Sequence, residues 1–468
     1  MHHTRHLGGL LVALGVVACT ATETAAPPAA APQPTVRTFG SPPILDQRAR
    51  TGTDSAAQSF TPRPTAKALK VTLRTLWKAR VGATSASTTM AVEAGDLLVA
   101  SDDAVHVLGA ATGETRAVVR APDGARVVGL AAPPNAIVLV TSGGHVVRAA
   151  RAGAIAWNVD AGAPIVSAPA MVDASGDGVP DVVVGTNKAV VVLDGKSGQE
   201  LWRAPARRDG PRTVVPEDAD RGGEGLLFIG GPEGVHALRA KDAALAWQRP
   251  FHAPVDAPPL AIDLDADGLR EVLAVSSSGE IAILDGKSGA SLWQGTVETD
   301  AGRPTKVVAS AVAVPGPRVG SVVVATAGDS KSEGLVVLGE HERRFWSNEG
   351  RVRATPVVFA LDSSGGGDAI VGTEAGDLVA IDAVGGRTFV ASLGAPIDAP
   401  LGVVDVNGDG VREIVVVTRS GEVTCFTTGV ATAPLLDRYR GAPRPVNLGW
   451  TFVRGRNDSR ALDPRLGR

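Results

Sequence analysis

Short runs of Val, Ile and Leu recur along most of this 468-residue chain, and Gly, Asp, Ser and Pro separate them. Short apolar or β-branched runs bounded by such turn residues are typical of β-strands. The sequence shows no heptads and no long helical periodicity. The pattern therefore predicts an all-β fold made of many short strands.

One segment of the chain recurs with little change. Residues 190–202 (VVVLDGKSGQELW) return as residues 281–293 (IAILDGKSGASLW), with weaker copies at 105–113, 235–247 and 378–386. Each copy predicts a strand, a tight turn and a second strand that closes on an aromatic residue. The closing aromatics, about 45 residues apart, are Trp157, Trp202, Trp247, Trp293, Trp346 and Phe389.

This period, with four strands in each unit, predicts a β-propeller. In one unit we expect the strands at 167–172, 181–185, 189–193 and 199–203. The interval between Trp77 and Trp157 leaves room for one unmarked unit, which favours eight blades over 68–449, with seven as the alternative. Trp77 is then expected on an N-terminal strand that completes the last blade, so that no sheet edge stays open.

The unit of strand, Asp-Gly-Lys-Ser-Gly turn, strand and tryptophan resembles the repeat of quinoprotein-like (PQQ-like) propellers. That family includes the lipoprotein of the outer-membrane β-barrel assembly machinery, and the resemblance covers roughly residues 70–450. It implies the fold more strongly than a function, since one fold hosts many activities. Three functions stay open: a non-enzymatic propeller that binds a protein or glycan, a PQQ-dependent quinoprotein dehydrogenase, and an outer-membrane protein assembly factor.

Cysteine content bears on the enzymatic alternative. The resemblance implies that quinoprotein dehydrogenases hold the quinone over a calcium ion beside a vicinal cysteine pair, whereas this chain has only Cys19 and Cys425. We therefore favour the non-enzymatic propeller and expect no PQQ. Cys425 lies in a strand-like run and is expected to be a buried, inert thiol.

Three acidic loops carry the candidate chemistry. Oxygen-bearing side chains stand at positions 1, 3 and 5, glycine at 6 and a carboxylate at 9, a spacing that suits Ca²⁺ as in the first half of an EF-hand loop. The loops also resemble the calcium loops of FG-GAP (VCBS-type) repeats, and a structural Ca²⁺ is predicted in each. The predicted ligands are Asp173, Ser175, Asp177 and Asp181 in acidic loop 1 (173–181), Asp263, Asp265, Asp267 and Glu271 in acidic loop 2 (263–271), and Asp405, Asn407, Asp409 and Glu413 in acidic loop 3 (405–413).

The alternative for these loops is an acidic turn without metal, because Asp, Asn and Gly favour turns in any case. Two shorter relatives, which begin at Asp218 and Asp362, leave metal binding undecided. Four residues near the predicted innermost strands are expected to face the central funnel and contact a partner: Ser167, Asp256, Arg353 and Asp398.

The N-terminus predicts export. Residues 1–18 read as a signal peptide, and Val16-Val17-Ala18-Cys19 resembles a bacterial lipobox in which Cys19 is acylated; an ordinary signal peptide is the alternative. Thr20 after the cysteine favours the outer membrane, in either orientation. Residues 19–67 are Ala/Pro/Thr-rich and predict a disordered tether.

The remaining features concern charge and partners. The net charge of −3 excludes a whole-chain cationic field for nucleic acid, and we expect a monomer that meets the membrane through its N-terminal lipid. The arginine-rich tail, 450–468, either packs across the ring or meets an anionic partner.

Overall fold

The computed structural model describes residues 73–84, 90–205, 213–217, 225–262, 271–297, 306–314, 321–326, 334–338, 343–347, 352–359, 368–382, 387–399, 401–409 and 411–431. The chain divides into two units, residues 1–39 and 40–468, and every described residue belongs to the second. The signal peptide, Cys19, the tether and the tail therefore lie outside the described residues. Within the described ranges the regular structure is β-strand, apart from one short 3-10 helix, Pro122–Gly124.

Strand β1 (Arg74–Arg80) comes first in the chain. Sheet 1 contains β2 (Met90–Glu93), β3 (Asp96–Ala100), β4 (Ala104–Gly109) and β5 (Thr115–Arg120). Sheet 2 contains β6 (Val127–Ala131), β7 (Ala136–Thr141), β8 (His145–Ala150) and β9 (Ile155–Asp160). Sheet 3 contains β10 (Ala170–Val172), β11 (Asp181–Gly185), β12 (Ala189–Leu193) and β13 (Glu200–Pro205). Sheet 4 contains β14 (Thr213–Glu217), β15 (Leu226–Gly231), β16 (Gly234–Arg239) and β17 (Leu245–Pro250).

The second half of the chain continues the series. Sheet 5 contains β18 (Leu260–Ile262), β19 (Glu271–Val275), β20 (Glu280–Asp285) and β21 (Ser291–Thr296). Sheet 6 contains β22 (Val307–Val314), β23 (Ser321–Thr326), β24 (Gly334–Leu338) and β25 (Arg343–Ser347). Sheet 7 contains β26 (Val357–Phe359), β27 (Asp368–Gly372), β28 (Asp377–Asp382) and β29 (Arg387–Ser392). Sheet 8 contains β30 (Gly402–Val404), β31 (Val411–Val417), β32 (Glu422–Ala431) and β1.

Each sheet is antiparallel and has four strands, and in sheets 1 to 7 the strands lie in chain order. Sheet 8 differs because β1 pairs with β32 and supplies the fourth strand, with Trp77 opposite Cys425. The predicted all-β fold is confirmed, and so is the prediction that Trp77 lies on an N-terminal strand that completes the last sheet.

The strand predictions for sheet 3 hold in detail at its centre. The strands expected at 181–185 and 189–193 are β11 and β12. The first strand begins at Ala170 and not at residue 167, because Pro169 has no amide hydrogen to donate to the ladder. The last strand runs from Glu200 to Pro205, with a register shift opposite Val192 and Leu193.

Where the side chains are described, apolar clusters join neighbouring sheets. The central strands β7, β11 and β15 are buried along their whole length, because a neighbouring sheet covers each face and leaves no polar side to the strand. Sheets 2 and 3 share one cluster, sheets 4 and 5 another, and sheets 8 and 1 a third. First strand β2 contacts both β6 and β30, so the series closes on itself. This arrangement is consistent with a β-propeller.

Tryptophans on the outer strands also tie neighbouring sheets together. The indole Nε1 of Trp77 donates to the Ala110 carbonyl of sheet 1 at 2.9 Å, and Trp247 donates to the Gly286 carbonyl of sheet 5 at 2.9 Å. Trp157 and Trp202 make the same bond to the next sheet. Each acceptor is the second residue of a tight turn between the third and fourth strands. The prediction that these aromatics wedge against the adjacent repeat is confirmed for these four.

The tight turn of sheet 3 shows why its sequence recurs. Asp194 Oδ1 accepts from the Ser197 amide and hydroxyl at 2.6 Å, and the Gly198 amide closes the turn on the Asp194 carbonyl. Gly198 has φ +75° and lies against the Trp157 ring. A residue with a Cβ at this position would have a strained backbone conformation, and its Cβ would clash with the indole ring. Both effects explain the glycine.

Two further observations complete the description. No helix in the described part of the chain has the length and apolarity required to cross a membrane. Cys425 is a free, fully buried cysteine on β32, and burial raises the pKa of its thiol above its ordinary value. The prediction that this thiol is buried is confirmed.

Candidate functional site

The two ends of each sheet are formed by different loops. In an antiparallel sheet, the loop between strands one and two and the turn between strands three and four share one end, here called the loop end. The turn between strands two and three and the connection that enters the first strand share the other, here called the entry end. The acidic loops lie at the loop end, and the predicted funnel residues lie at the entry end.

Acidic loop 1 connects β10 and β11 and folds around the carboxylate of Asp173. Its Oδ1 accepts from the amides of Gly176 and Asp177 at 2.8 and 3.0 Å, and its Oδ2 accepts from Gly178 at 2.9 Å. Gly176 and Gly178 have φ of +77° and +81°, which only glycine adopts without strain. The sequence order Asp-x-x-Gly-x-Gly thus produces a compact loop with its first carboxylate at the centre.

The last residue of acidic loop 1, Asp181, is fully buried. Its Oδ2 accepts from the amides of Ala174 and Ser175, and its Oδ1 accepts from the Gly195 amide at 2.8 Å. Three amide donors compensate the burial of this charge. Asp181 therefore fastens the acidic loop to the neighbouring tight turn of the same sheet.

The same tight turn brings a cation to acidic loop 1. Lys196 Nζ lies 2.7 Å from Asp177 Oδ2. The hydrogen bond from Lys196 lowers the pKa of the Asp177 carboxyl, and the same bond raises the pKa of Lys196. The sequence did not reveal this contact, because the Asp-Gly-Lys-Ser-Gly segment indicated only a hairpin turn.

Acidic loop 3 connects β30 and β31 and has a similar backbone arrangement. Asp405 Oδ1 accepts from the amides of Gly408 and Asp409, at 2.7 and 3.2 Å. The Asn407 side-chain amide donates to Asp409 Oδ2 at 2.9 Å, and Asp409 Oδ1 accepts from the Val411 amide. The side chains at positions 1, 3 and 5 thus lie within one small loop.

Glu413 ends acidic loop 3 in a different way from Asp181. The side chain is fully buried, and its Oε2 accepts from the Val406 amide at 3.0 Å. Its Oε1 is buried without a hydrogen-bond partner. Desolvation by burial raises the pKa of this carboxyl above its ordinary value. A buried, unpartnered carboxylate oxygen is costly and is compensated by a cation when one is present.

The structure describes only some of the other predicted metal ligands. Acidic loop 2 lies outside the described residues except for Glu271, which begins β19 and is buried. The shorter relatives that begin at Asp218 and Asp362 also lie outside them. Across the described ranges, no three His, Cys, Asp or Glu side chains converge as a ready-made metal site. The oxygens of acidic loops 1 and 3 are hard donors of the type that Ca²⁺ takes.

At the entry end, an ion-pair network joins sheets 7 and 8. Arg419 Nε lies 2.5 Å from Oδ2 of Asp398, whose side chain is almost fully buried. A second nitrogen of Arg419 lies 3.7 Å from Glu374 Oε1, and Arg353 Nε lies 4.0 Å from the same oxygen. We call these four side chains the entry-end network. Arg353, Glu374 and Arg419 are partly exposed, so the network presents charge to solvent.

The four predicted funnel residues have different surroundings. Arg353 and Asp398 belong to the entry-end network, and Asp256 is exposed on the connection into sheet 5. Ser167 is buried, and its Oγ accepts from the Gly185 amide at 3.0 Å. The sequence argument missed Glu374 and Arg419, although each is the second residue of a turn between strands two and three, in the related segments TEAGD and TRSGE.

Comparison with known proteins agrees with this architecture. A family model described as outer membrane protein assembly factor BamB (PQQ_2) matches residues 65–209 and 102–259. No curated protein matches the sequence. Among solved structures, BamB from Moraxella catarrhalis is 17% identical, with 76% of this chain and 99% of that chain covered and a TM-score of 0.56.

Two other solved structures extend the comparison. Quinohemoprotein alcohol dehydrogenase from Comamonas testosteroni is 14% identical, with 77% of each chain covered and a TM-score of 0.53. Sqt1 from Saccharomyces cerevisiae is 11% identical, with 79% of this chain and 100% of that chain covered and a TM-score of 0.54. At such identities the likeness shows a shared β-propeller fold, and not a shared activity.

Proposed function

We propose that this chain is a non-enzymatic, eight-bladed β-propeller that binds a protein partner through its entry end. The entry-end network is the observation that carries the proposal. Its two arginines, side chains enriched at the centres of protein interfaces, pair with carboxylates and remain partly exposed, and Arg419 is held by its hydrogen bond to Asp398. Held side chains lose little entropy on binding, which favours recognition.

The name of the matching family model and the cysteine content support the non-enzymatic proposal. The matching family model bears the name of an outer membrane protein assembly factor, and a protein partner at the outer membrane suits the lipobox-like segment that ends at Cys19. Dehydrogenases share the fold. The chain has two cysteines, and they are far apart in sequence, so the vicinal pair that the dehydrogenase resemblance implies is missing.

The partner experiment uses charge reversal at one position. Arg353→Glu leaves the buried Asp398–Arg419 pair intact and places two acidic groups beside each other at Glu374. We expect cross-linking in the native membrane to join the wild-type chain to one protein, and Arg353→Glu to weaken that capture at least about tenfold, since like charges across an interface cost several kcal/mol.

The matched control is Arg239→Glu, at a surface ion pair with Asp242 at the loop end, which should capture the partner as the wild type does. Equal loss in both variants would contradict a specific entry-end interface. Capture of a glycan and of no protein would contradict the proposed protein partner. If the chain with added quinone catalysed the oxidation of alcohols with reduction of a dye acceptor, this would establish the dehydrogenase function instead.

Calcium completes the proposed function as a structural ion. Asp405, Asn407 and Asp409 would hold it in acidic loop 3, with Glu413 as the buried carboxylate beside them, and its charge would offset that of the carboxylates. We expect calcium to raise the melting temperature and EDTA to lower it without unfolding the whole chain, because the ion braces a loop and not the apolar cores. Asp409→Asn should reduce the response; an identical melting curve with calcium and with EDTA would refute the role.

A further inference from the structure

Acidic loops 1 and 3 share a sequence motif but differ in what faces their carboxylates. In acidic loop 1, Lys196 Nζ is 2.7 Å from Asp177 Oδ2, and the charges of Asp173 and Asp194 also attract it. Both oxygens of Asp173 and both oxygens of Asp181 accept loop or turn amides. The carboxylates of this loop are therefore compensated by the protein itself.

Among the described residues, no lysine contacts acidic loop 3, and the cation whose charge acts on Asp405 is the neighbouring Arg412. The topology of sheet 8 explains the missing lysine. In sheet 3 the lysine lies on the turn between the third and fourth strands. In sheet 8 the fourth strand is β1, which comes from the other end of the chain, so no turn joins β32 to β1. The loop end of sheet 8 thus lacks the turn that supplies both Gly195 and Lys196 in sheet 3.

The absence of this turn changes the surroundings of the buried carboxylate at the end of the acidic loop. Asp181 Oδ1 accepts the amide of Gly195. At the corresponding position in sheet 8, Glu413 is fully buried, and its Oε1 has no hydrogen-bond partner. One buried carboxylate thus accepts hydrogen bonds at both oxygens, whereas its counterpart, bonded by the Val406 amide and the Thr427 side chain, has one oxygen without a partner.

We propose that Lys196 is a tethered cation that takes the place of a metal ion in acidic loop 1, so that a divalent cation binds acidic loop 3 and not acidic loop 1. The ammonium group is held on the tight turn and offsets the charge of one carboxylate of the loop. The part of the inference that concerns acidic loop 3 rests on the proposed calcium role. The part that concerns Lys196 stands on its own contacts.

The test compares calcium stoichiometry by equilibrium dialysis at about 1 mM calcium, a concentration suited to extracellular sites. Lys196→Met removes the charge and keeps the length of the side chain. We expect it to bind about one calcium ion more per chain than the wild type, because Asp173 and Asp177 lose their only described lysine contact. Asp177→Asn added to Lys196→Met should abolish the gain.

Two controls separate the possible outcomes. Lys188→Met alters an exposed lysine at the entry end of the same sheet and should leave the stoichiometry unchanged. Asp409→Asn should lower it by about one ion, as a single lost loop site requires. Because every value is a difference from the wild type, any contribution of acidic loop 2 cancels.

Each failure has its own signature. A loss of wild-type calcium with Asp177→Asn alone, or no gain with Lys196→Met, would overturn the tethered-cation assignment. A gain with Lys196→Met but no loss with Asp409→Asn would retain Lys196 and reject the proposed calcium role of acidic loop 3. Should Lys196→Met fail to fold in EDTA, its recovery by calcium, and not by magnesium, is the expected result, and no recovery would again count against the assignment.

Discussion

At the scale of single residues, the positions that the repeat keeps are those where backbone and neighbour both constrain the side chain. Gly198 illustrates this constraint because its φ is +75° and an added Cβ would lie 2.8 Å from the Trp157 ring. Gly176 has nearly the same φ, +77°, with open space around it. The pair therefore separates the cost of the backbone conformation from the cost of the clash.

We expect Gly176→Ala to lower the free energy of unfolding by about 1–2 kcal/mol, the cost of a left-handed conformation for a residue with a Cβ. Gly198→Ala should cost about 1–3 kcal/mol more, because the indole must shift as well. Urea denaturation of both variants in EDTA measures the difference. Equal effects would mean that the Trp157 ring accommodates the added methyl group.

At the scale of elements, β1 completes sheet 8 from the start of the described residues. It pairs with β32, its Trp77 is buried between sheets 8 and 1, and Lys78 forms an ion pair with Glu422 at 2.6 Å. The ion pair is largely exposed and contributes at most about 1 kcal/mol. The apolar contacts of Trp77 dominate, since truncation of a buried tryptophan costs about 3–5 kcal/mol.

Deletion of residues 1–81 should therefore open sheet 8 and leave β32 as an unpaired edge. We expect this variant to aggregate or to unfold at a much lower urea concentration, and a synthetic peptide of residues 73–84 to restore the wild-type midpoint. Deletion of residues 1–67 is the control and should leave the midpoint unchanged. If both deletions unfold like the wild type, β1 is not needed for closure.

The elements also show how far the sequence alone could reach. Tight turns and central strands were predictable because their signals are local: Asp194 to Gly198 specify a turn, and unbroken runs of valine specify strands with two covered faces. The Lys196–Asp177 and Arg419–Asp398 pairs were not. Each depends on two loops that meet only after the sheet has formed, and a charged residue in a turn is most often solvated.

At the scale of the whole molecule, the main contacts between described strands of different sheets join neighbouring sheets. The cluster shared by sheets 4 and 5 is centred on Phe228, which is fully buried with its ring centroid 5.7 Å from that of Trp247. In repeat architectures, stability is close to a sum of units and nearest-neighbour interfaces. A defect in this cluster should consequently remain local unless the whole ring opens.

We expect Phe228→Ala to cost about 3–5 kcal/mol and to raise amide hydrogen exchange mainly in sheets 4 and 5. Exchange in sheets 1 and 8, which share another cluster, should stay close to that of the wild type. Mass spectrometry of peptic fragments resolves these regions. A uniform rise in exchange over all sheets would show instead that the ring unfolds as one cooperative unit.

The origin of β1 at the start of the chain sets a demand on biosynthesis. Lys78 pairs with Glu422, which follows it by 344 residues. At a synthesis rate of ~5–20 residues per second, roughly 20–70 s separate the synthesis of the two residues. During that time β1 is an unpaired strand, which is a template for pairing with other chains. Arg74, Lys78 and Arg80 give it three exposed positive charges, which discourage promiscuous pairing as charged residues do on natural edge strands. The cations of this seven-residue segment thus oppose pairing with other chains until β32 is in place.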